Sequence, residues 1–123
     1  MMGGRGCHVI AVVWQFKVQP GSEARFERFL GANGPWQALS RRSRSFLGSS
    51  FLRDAVHPTR YLVVEYWSEM LVYEKHQADY SDEVRELERE RGELVEEMST
   101  LGIFTALDVP DRSGPTWSRR SAS

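Results

Sequence analysis

The amino-acid sequence predicts one α+β domain with the element order β-α-β-β-α-β, and three observations support this prediction. Short segments rich in β-branched and aromatic residues alternate with segments whose apolar residues recur at helical spacing. The length of 123 residues suits a single domain with one core. Hydrophobic residues make up 41% of the chain and charged residues 27%, which is ordinary globular composition.

The first predicted strand runs from His8 to Val18, with the sequence HVIAVVWQFKV, and it stops at the turn signal Gln19-Pro20-Gly21. Both alternating faces of its first half are apolar. A strand of this kind lies in a sheet that is covered on both sides. Helices can cover one side, and another layer must cover the other.

A helix is predicted after Ser22, a good N-cap residue, over the sequence EARFERFL. Its apolar stripe faces the sheet and consists of Phe26, Phe29 and Leu30. Glycines and a proline then interrupt the helix. Trp36 and Leu39 indicate a second, short helical piece before the next strand.

Two strands are predicted over Ser45 to Arg53 and Tyr61 to Trp67, joined as a hairpin by a turn that contains Asp54 and Pro58. Ser68 is expected to cap a following helix.

A further helix is predicted from Ser81, with apolar residues at helical spacing at Val84, Leu87, Leu94, Val95 and Met98. A short final strand is predicted from Ile103 to Asp108.

This element order is the split βαβ motif of the ferredoxin-like fold, in which helices cover one face of an antiparallel sheet. The other face would be an exposed apolar patch, so we expect a homodimer that pairs sheet to sheet. The predicted domain spans residues 8–108, between a flexible N-terminus at 1–7 and a disordered tail at 109–123.

Charge, hydropathy and cysteine content exclude several classes of partner. The net charge of −1 offers no basic surplus for nucleic acid, and no apolar stretch approaches the roughly 20 residues that span a bilayer. Cys7 is the single cysteine, which fits a reducing cytoplasm. No cluster of His, Cys, Asp and Glu has the spacing of a metal site.

Two segments, VVWQFKVQPGSEARFERFL and RDAVHPTRYLVVEYWSEMLVYEKH, resemble the antibiotic biosynthesis monooxygenase family, and the resemblance covers about residues 8 to 108. The matching features are the turn Pro20-Gly21, a strand that closes in Glu-x-Trp (Glu65 and Trp67), and a helix with an aromatic residue and a histidine (Tyr73 and His76).

The resemblance implies a dimeric α/β barrel with a pocket between sheet and helices in each subunit. Some members of the family oxygenate phenols, anthrones or quinols with molecular oxygen and need no metal or flavin cofactor. Haem-degrading relatives carry Asn, Trp and His at positions held here by Trp14, His76 and about Glu86, so the resemblance disfavours haem degradation.

His76 is the best candidate for a catalytic base, because imidazole titrates near neutral pH. Tyr73 and Tyr80 lie three residues before it and four after it, so all three side chains share one helix face. Tyr73 is the second catalytic candidate and Tyr80 a substrate-binding one. In the alternative interpretation, His76 sits half-exposed at a helix edge and the tyrosines are ordinary core.

Trp14 and Trp67 are candidates for stacking on a planar substrate, although large aromatic side chains also simply fill cores. Glu65 is a carboxylate within an apolar strand, and if buried it must be paired or neutralised. It is a further candidate for substrate binding. The expected partner is an arginine, and the candidates are Arg44, Arg53 and Arg60.

The sequence therefore predicts a cofactor-independent monooxygenase that acts on a small aromatic, polyketide-like or quinol compound. The alternative is a non-catalytic dimeric protein that binds a small apolar ligand or serves a stress response. A ligand-sized apolar pocket with His76 at its mouth would favour the enzyme.

Overall fold

The computed structural model describes residues 8–108, which form a four-stranded antiparallel sheet with helices on one face. In chain order the elements are β1 (Ile10–Val18), α1 (Glu23–Leu30), α2 (Pro35–Ser40), β2 (Phe46–Arg53), β3 (Arg60–Trp67), α3 (Met70–Asp79), α4 (Ser81–Gly92) and β4 (Val95–Thr105). The strand order is β2-β3-β1-β4.

The predicted ferredoxin-like α+β class is confirmed. The predictions for 1–7, Cys7 and 109–123 lie outside the described residues.

The even-numbered side chains of β1 form the inner face of the sheet, which the helices cover. Val12, Phe16 and Val18 are almost fully buried, and the ring centre of Phe16 lies 5.2 Å from that of Phe26 on α1. Burying an aromatic or branched side chain of this size contributes roughly 1.5–3 kcal/mol each. The inner face therefore holds the core.

The C-terminal third differs from the prediction. Leu94, Val95 and Met98 were expected on the last helix, but α4 ends at Gly92 and β4 begins at Val95. β4 is an edge strand with two register shifts against β1. These shifts interrupt the regular alternation of side chains between the two faces of the sheet, so the spacing of the apolar residues resembles that of a helix. The final strand is therefore 11 residues long and begins well before Ile103.

The predicted hairpin turn between β2 and β3 is present, and Asp54 holds it together. One carboxylate oxygen of Asp54 accepts hydrogen bonds from the backbone N–H groups of Val56 and His57, at 2.7 and 2.9 Å. These two bonds, with a smaller contribution from Arg60, lower the pKa of Asp54 to about 2. The turn thus forms as an aspartate at its first position predicts.

The outer face of the sheet is largely apolar and lacks a covering layer within residues 8–108. Cross-strand partners place Val13, Val64 and Ser50 in one row at its centre. Half-buried or exposed apolar side chains surround this row, namely Leu52, Leu62, Tyr66 and Phe104. A contiguous apolar surface of this kind is typical of a protein–protein contact.

We therefore predict that the chain forms a homodimer through the outer face. Light scattering should give about twice 14.1 kDa for the wild type. Val64→Glu, which places a charge at the centre of that face, should give a monomer, because an unpaired charge is costly to bury. Val56→Glu in the exposed turn is the matched control and should remain dimeric. A wild type that stays monomeric at micromolar concentration would refute the prediction.

Candidate functional site

Three of the predicted site residues meet between β3 and α3. Trp67, at the end of β3, is fully buried, and its ring centre lies 5.3 Å from that of Tyr73 and 5.0 Å from that of His76. The His76 ring in turn lies 4.8 Å from that of Tyr80. Tyr73 and His76 therefore share the face of α3 that meets Trp67, as predicted, whereas Tyr80 lies one residue past the end of α3 and packs against His76.

His76 is more buried than either interpretation of the sequence expected, with 4% of its surface exposed. Its Nε2 atom lies 2.9 Å from the backbone oxygen of Leu39. Because a carbonyl oxygen only accepts hydrogen bonds, Nε2 carries a proton and donates it. Leu39 lies in the last turn of α2, where carbonyl groups need partners from outside the helix. In the neutral imidazole, Nδ1 is then the atom that can accept a proton.

Glu65 is buried beneath the helices, with 2% of its surface exposed. Each carboxylate oxygen accepts a hydrogen bond from an indole: Oε2 from Trp36 Nε1 at 2.7 Å and Oε1 from Trp67 Nε1 at 3.1 Å. Burial raises the pKa of Glu65, and the two indole donors, the charge of Arg91 and a hydrogen bond from Ser40 oppose that rise. The carboxylate is thus paired mainly with neutral donors.

The arginines predicted as partners of Glu65 lie elsewhere. Arg53 bonds Glu27, Arg60 bonds Asp54, and Arg44 is exposed. These three arginines lie at or beyond the ends of β2 and β3, whereas Glu65 points into the core. The nearby cation is Arg91.

Arg91 lies in the last turn of α4, with its guanidinium carbon 5.0 Å from the ring centre of Phe16 and 4.6 Å from that of Trp36. Arg91 is 4% exposed, although the residues around it on α4 are mostly charged and exposed, so its burial had no signal in the sequence.

Trp14 extends the aromatic cluster along β1. It is half-buried, and its ring meets that of Trp36 edge to face, with centres 6.2 Å apart and planes at 89°. Trp36, Ser40 and Arg91 surround the Glu65 carboxylate, and the sequence did not predict them as its partners. The spacing of Trp36, Leu39 and Ser40 on one face of α2 was the available signal.

The helices leave part of the inner face uncovered along the edge strand β4. Met98 and Ile103 pair across the sheet with Phe16 and Val12, so they belong to the inner side, yet they are 44% and 40% exposed. Trp14 pairs with Thr100, which lies between them in sequence. We call Met98, Thr100 and Ile103 the inner strip. Together with the half-buried Trp14 it offers an open, largely apolar surface.

Two adjacent cavities lie at the other end of the sheet. One of about 390 Å³ is lined by residues of the β2–β3 hairpin and the facing part of β1, including Gln15, Arg53 and Tyr61. Another of about 330 Å³ lies beside it, between α1 and β2. Neither contains a predicted site residue, so the expected pocket with His76 at its mouth is not seen in these two cavities.

Residues 8–108 contain neither a metal-binding cluster nor a membrane-spanning helix. In this part of the chain no three His, Cys, Asp or Glu side chains are grouped so as to hold a metal ion. The helices described are too short or too polar to cross a membrane.

Comparison with solved structures identifies several proteins of the same fold. SnoaB, a cofactor-independent oxygenase from Streptomyces nogalater, matches at TM-score 0.67 and 21% identity over 85% of this chain and 99% of its own. A candidate antibiotic biosynthesis monooxygenase from Bordetella bronchiseptica matches at TM-score 0.60 and 27% identity, over 84% and 99%. A similar protein from Nitrosomonas europaea matches at TM-score 0.63 and 15% identity, over 85% and 96%.

The sequence itself matches no family model and no curated protein. The structural neighbours nevertheless confirm the resemblance to the antibiotic biosynthesis monooxygenases, because several of them carry that name and share the fold over almost their whole length. At these identities the likeness establishes the fold, and the chemistry has to be argued from the site.

The buried carboxylate predicts a pH-dependent stability. Because burial raises the pKa of Glu65 above its ordinary 4.5, the folded chain holds this proton more tightly than the unfolded chain. The contribution of Glu65 to the stability of the fold is complete below the pKa of this group in the unfolded chain, and it is lost as the pH rises through the pKa in the folded chain. As the pH rises from about 4 through the raised pKa of Glu65, the free energy of unfolding of the wild type should therefore fall relative to that of Glu65→Gln.

Urea unfolding at a series of pH values measures this difference. Glu97→Gln, at an exposed position on β4, is the control for the loss of one carboxylate. If the curves for wild type and Glu65→Gln run parallel across this pH range, the pKa of Glu65 is not raised in the folded chain.

Proposed function

We propose that this chain is a cofactor-independent monooxygenase that acts on a small aromatic, polyketide-like or quinol compound, with molecular oxygen as co-substrate. The observation that carries the proposal is the open apolar surface of the inner strip beside Trp14, on the same side of the sheet as the packed rings of Trp67, Tyr73 and His76. The description of SnoaB as a cofactor-independent oxygenase on the same fold supports the same chemistry.

The reaction of an anthrone illustrates why no reductant is required. The methylene carbon between the rings loses two hydrogens and forms a C=O bond with one atom of dioxygen. The second oxygen atom leaves with those hydrogens as water. The substrate gives up four electrons and dioxygen accepts four. The protein must therefore bind a flat apolar molecule, help to remove a proton, and shelter the carbanion from water.

Tyr73 is suited to donate a hydrogen bond to the substrate. Burial, and next the negative charge of Glu65, raise the pKa of Tyr73 to about 12, so its hydroxyl stays protonated at neutral pH. A donor at this point stabilises the oxygen on which negative charge develops after proton removal. The packing of its ring against Trp67 fixes its direction.

His76 is proposed as the base, acting through Nδ1, because Nε2 is held by the Leu39 carbonyl. This bond fixes the tautomer in which Nδ1 can accept a proton. Trp14 is proposed to contact the flat face of the substrate, and Trp67, which is fully buried, to hold the rings of Tyr73 and His76 in place. Tyr80 packs against the His76 ring and is proposed to close the site. Glu65 is proposed to act indirectly, because its carboxylate accepts the hydrogen bond that holds Trp67.

The alternative is a non-catalytic dimeric protein that binds a small apolar ligand or serves in a stress response. The saturated hydrogen bonding of the polar residues favours it: Nε2 of His76 has a partner, and so do both oxygens of Glu65. Buried groups satisfied in this way are also typical of a structural core. A homodimer in the cytoplasm is part of both proposals.

Oxygen consumption with a panel of anthrones and quinols tests the proposed function. His76→Ala should reduce the rate about 10²–10⁴-fold, because it removes a positioned base. His76→Gln is the more specific test, because the glutamine amide can still donate a hydrogen bond to the Leu39 carbonyl but cannot act as a base. It should be as inactive as His76→Ala and should melt closer to the wild type. Tyr73→Phe and Trp67→Phe should each lower the rate.

Two outcomes would count against the enzyme. If the wild type consumes no oxygen with any compound yet binds one tightly, the binding protein is the correct function. If His76→Gln is fully active, the imidazole is structural and the base assignment is wrong.

The position of the ligand is tested separately at the inner strip. Ile103→Glu places a charge on the surface where the flat substrate is proposed to lie, and it should weaken binding about tenfold or more, because a carboxylate loses its hydration against an apolar ligand. Leu107→Glu, at a fully exposed position two residues after β4, is the control. Equal affinity of both variants, measured by fluorescence titration with an anthraquinone, would place the ligand elsewhere.

A further inference from the structure

We propose that Trp36 is a positioning residue that aligns Trp14 and Trp67 for the ligand, a role that rests on the proposed function above. Trp36 lies on α2, outside the strands and the helix that carry the proposed site. The proposed function gives Trp36 no catalytic or ligand-binding role. Its side chain nevertheless connects four elements of the fold.

The contacts of Trp36 show how it connects them. Its Nε1–H donates to Glu65 Oε2 on β3 at 2.7 Å, and its ring meets that of Trp14 on β1 edge to face at 6.2 Å. The guanidinium carbon of Arg91 on α4 lies 4.6 Å from its ring centre. One side chain on a six-residue helix thus fixes its neighbours by three different interactions.

The hydrogen bond from Trp36 also influences the position of Trp67, because both indoles bind the same carboxylate of Glu65. The second oxygen of the Glu65 carboxylate accepts from Trp67 Nε1 at 3.1 Å, so one rigid carboxylate lies between the two indoles. Glu65 is 2% exposed and water cannot replace a lost donor without entering the core. If Trp36 no longer donates, the carboxylate must move toward other donors and Trp67 must move with it.

The competing explanation is that Trp36 only fills the core. A variant that keeps the aromatic ring but lacks the N–H group distinguishes this packing role from the positioning role. Trp36→Phe retains an aromatic ring that can meet Trp14 and Arg91, but it loses the N–H group. Phe51→Leu reduces a half-buried aromatic residue of the same core, which contacts Phe26 and Tyr61. It serves as the control for loss of packing.

Indole N–H resonances, observed by NMR on protein labelled with ¹⁵N-tryptophan, provide a readout that is independent of activity. The chain has four tryptophans, and Trp67→Phe assigns the signal of Trp67. In Trp36→Phe the Trp67 signal should shift and exchange faster with solvent, whereas in Phe51→Leu it should keep its wild-type position. The ratio kcat/KM for an anthrone should fall about tenfold to hundredfold in Trp36→Phe and stay close to the wild type in Phe51→Leu.

A Trp67 signal that is unchanged in Trp36→Phe, or that moves equally in Phe51→Leu, overturns the positioning role. Should the wild type consume no oxygen, the proposed function fails while the NMR signals still decide the role of Trp36. Should Trp36→Phe not fold, Glu65→Gln tests the same chain of contacts, because one carboxylate holds both indoles. The signals of Trp36 and Trp67 should then both shift, and an unchanged Trp36 signal refutes the proposal.

Discussion

The buried carboxylate of Glu65 determines how the helices lie on the sheet. An acceptor with two oxygens and no access to water must find donors inside the protein. Trp67 supplies one donor from the same strand, but the other comes from Trp36 on α2, and the nearest cation, Arg91, comes from α4. The positions of α2 and α4 relative to β3 are therefore set by a polar requirement at the centre of the core.

This arrangement favours specificity of structure more than stability. Burial outweighs the donors and raises the pKa of Glu65, which means that the ionised carboxylate is not fully compensated for the loss of water. Indole N–H groups are directional, so the carboxylate accepts them in few geometries. The aromatic rings that surround it are therefore held in defined orientations, which packing among apolar side chains alone does not guarantee.

The fold was predictable wherever local chemistry dictates it, and the site was predictable only in part. Runs of β-branched and aromatic residues determine β1 and β3 within their own sequence, and the aspartate turn pairs β2 with β3. β4 was mistaken in part for a helix because its regularity depends on pairing with β1, which sequence spacing does not show. Likewise, Glu65 alone predicted a buried partner, but the identity of that partner depends on which distant residue the topology brings near, and this was Trp36.

The helix layer is too narrow for the sheet, and this mismatch leaves part of the inner face uncovered. Helices cover β1 and β3, but the inner side of the edge strand β4 keeps Met98 and Ile103 exposed. The outer face is broad and spans all four strands, which suits another sheet. The inner strip is short and lies beside the ring of Trp14, which pairs with its middle residue Thr100. The two uncovered apolar surfaces thus differ in shape, and the occupants proposed for them differ accordingly: a second sheet for the outer face and a small flat molecule for the inner strip.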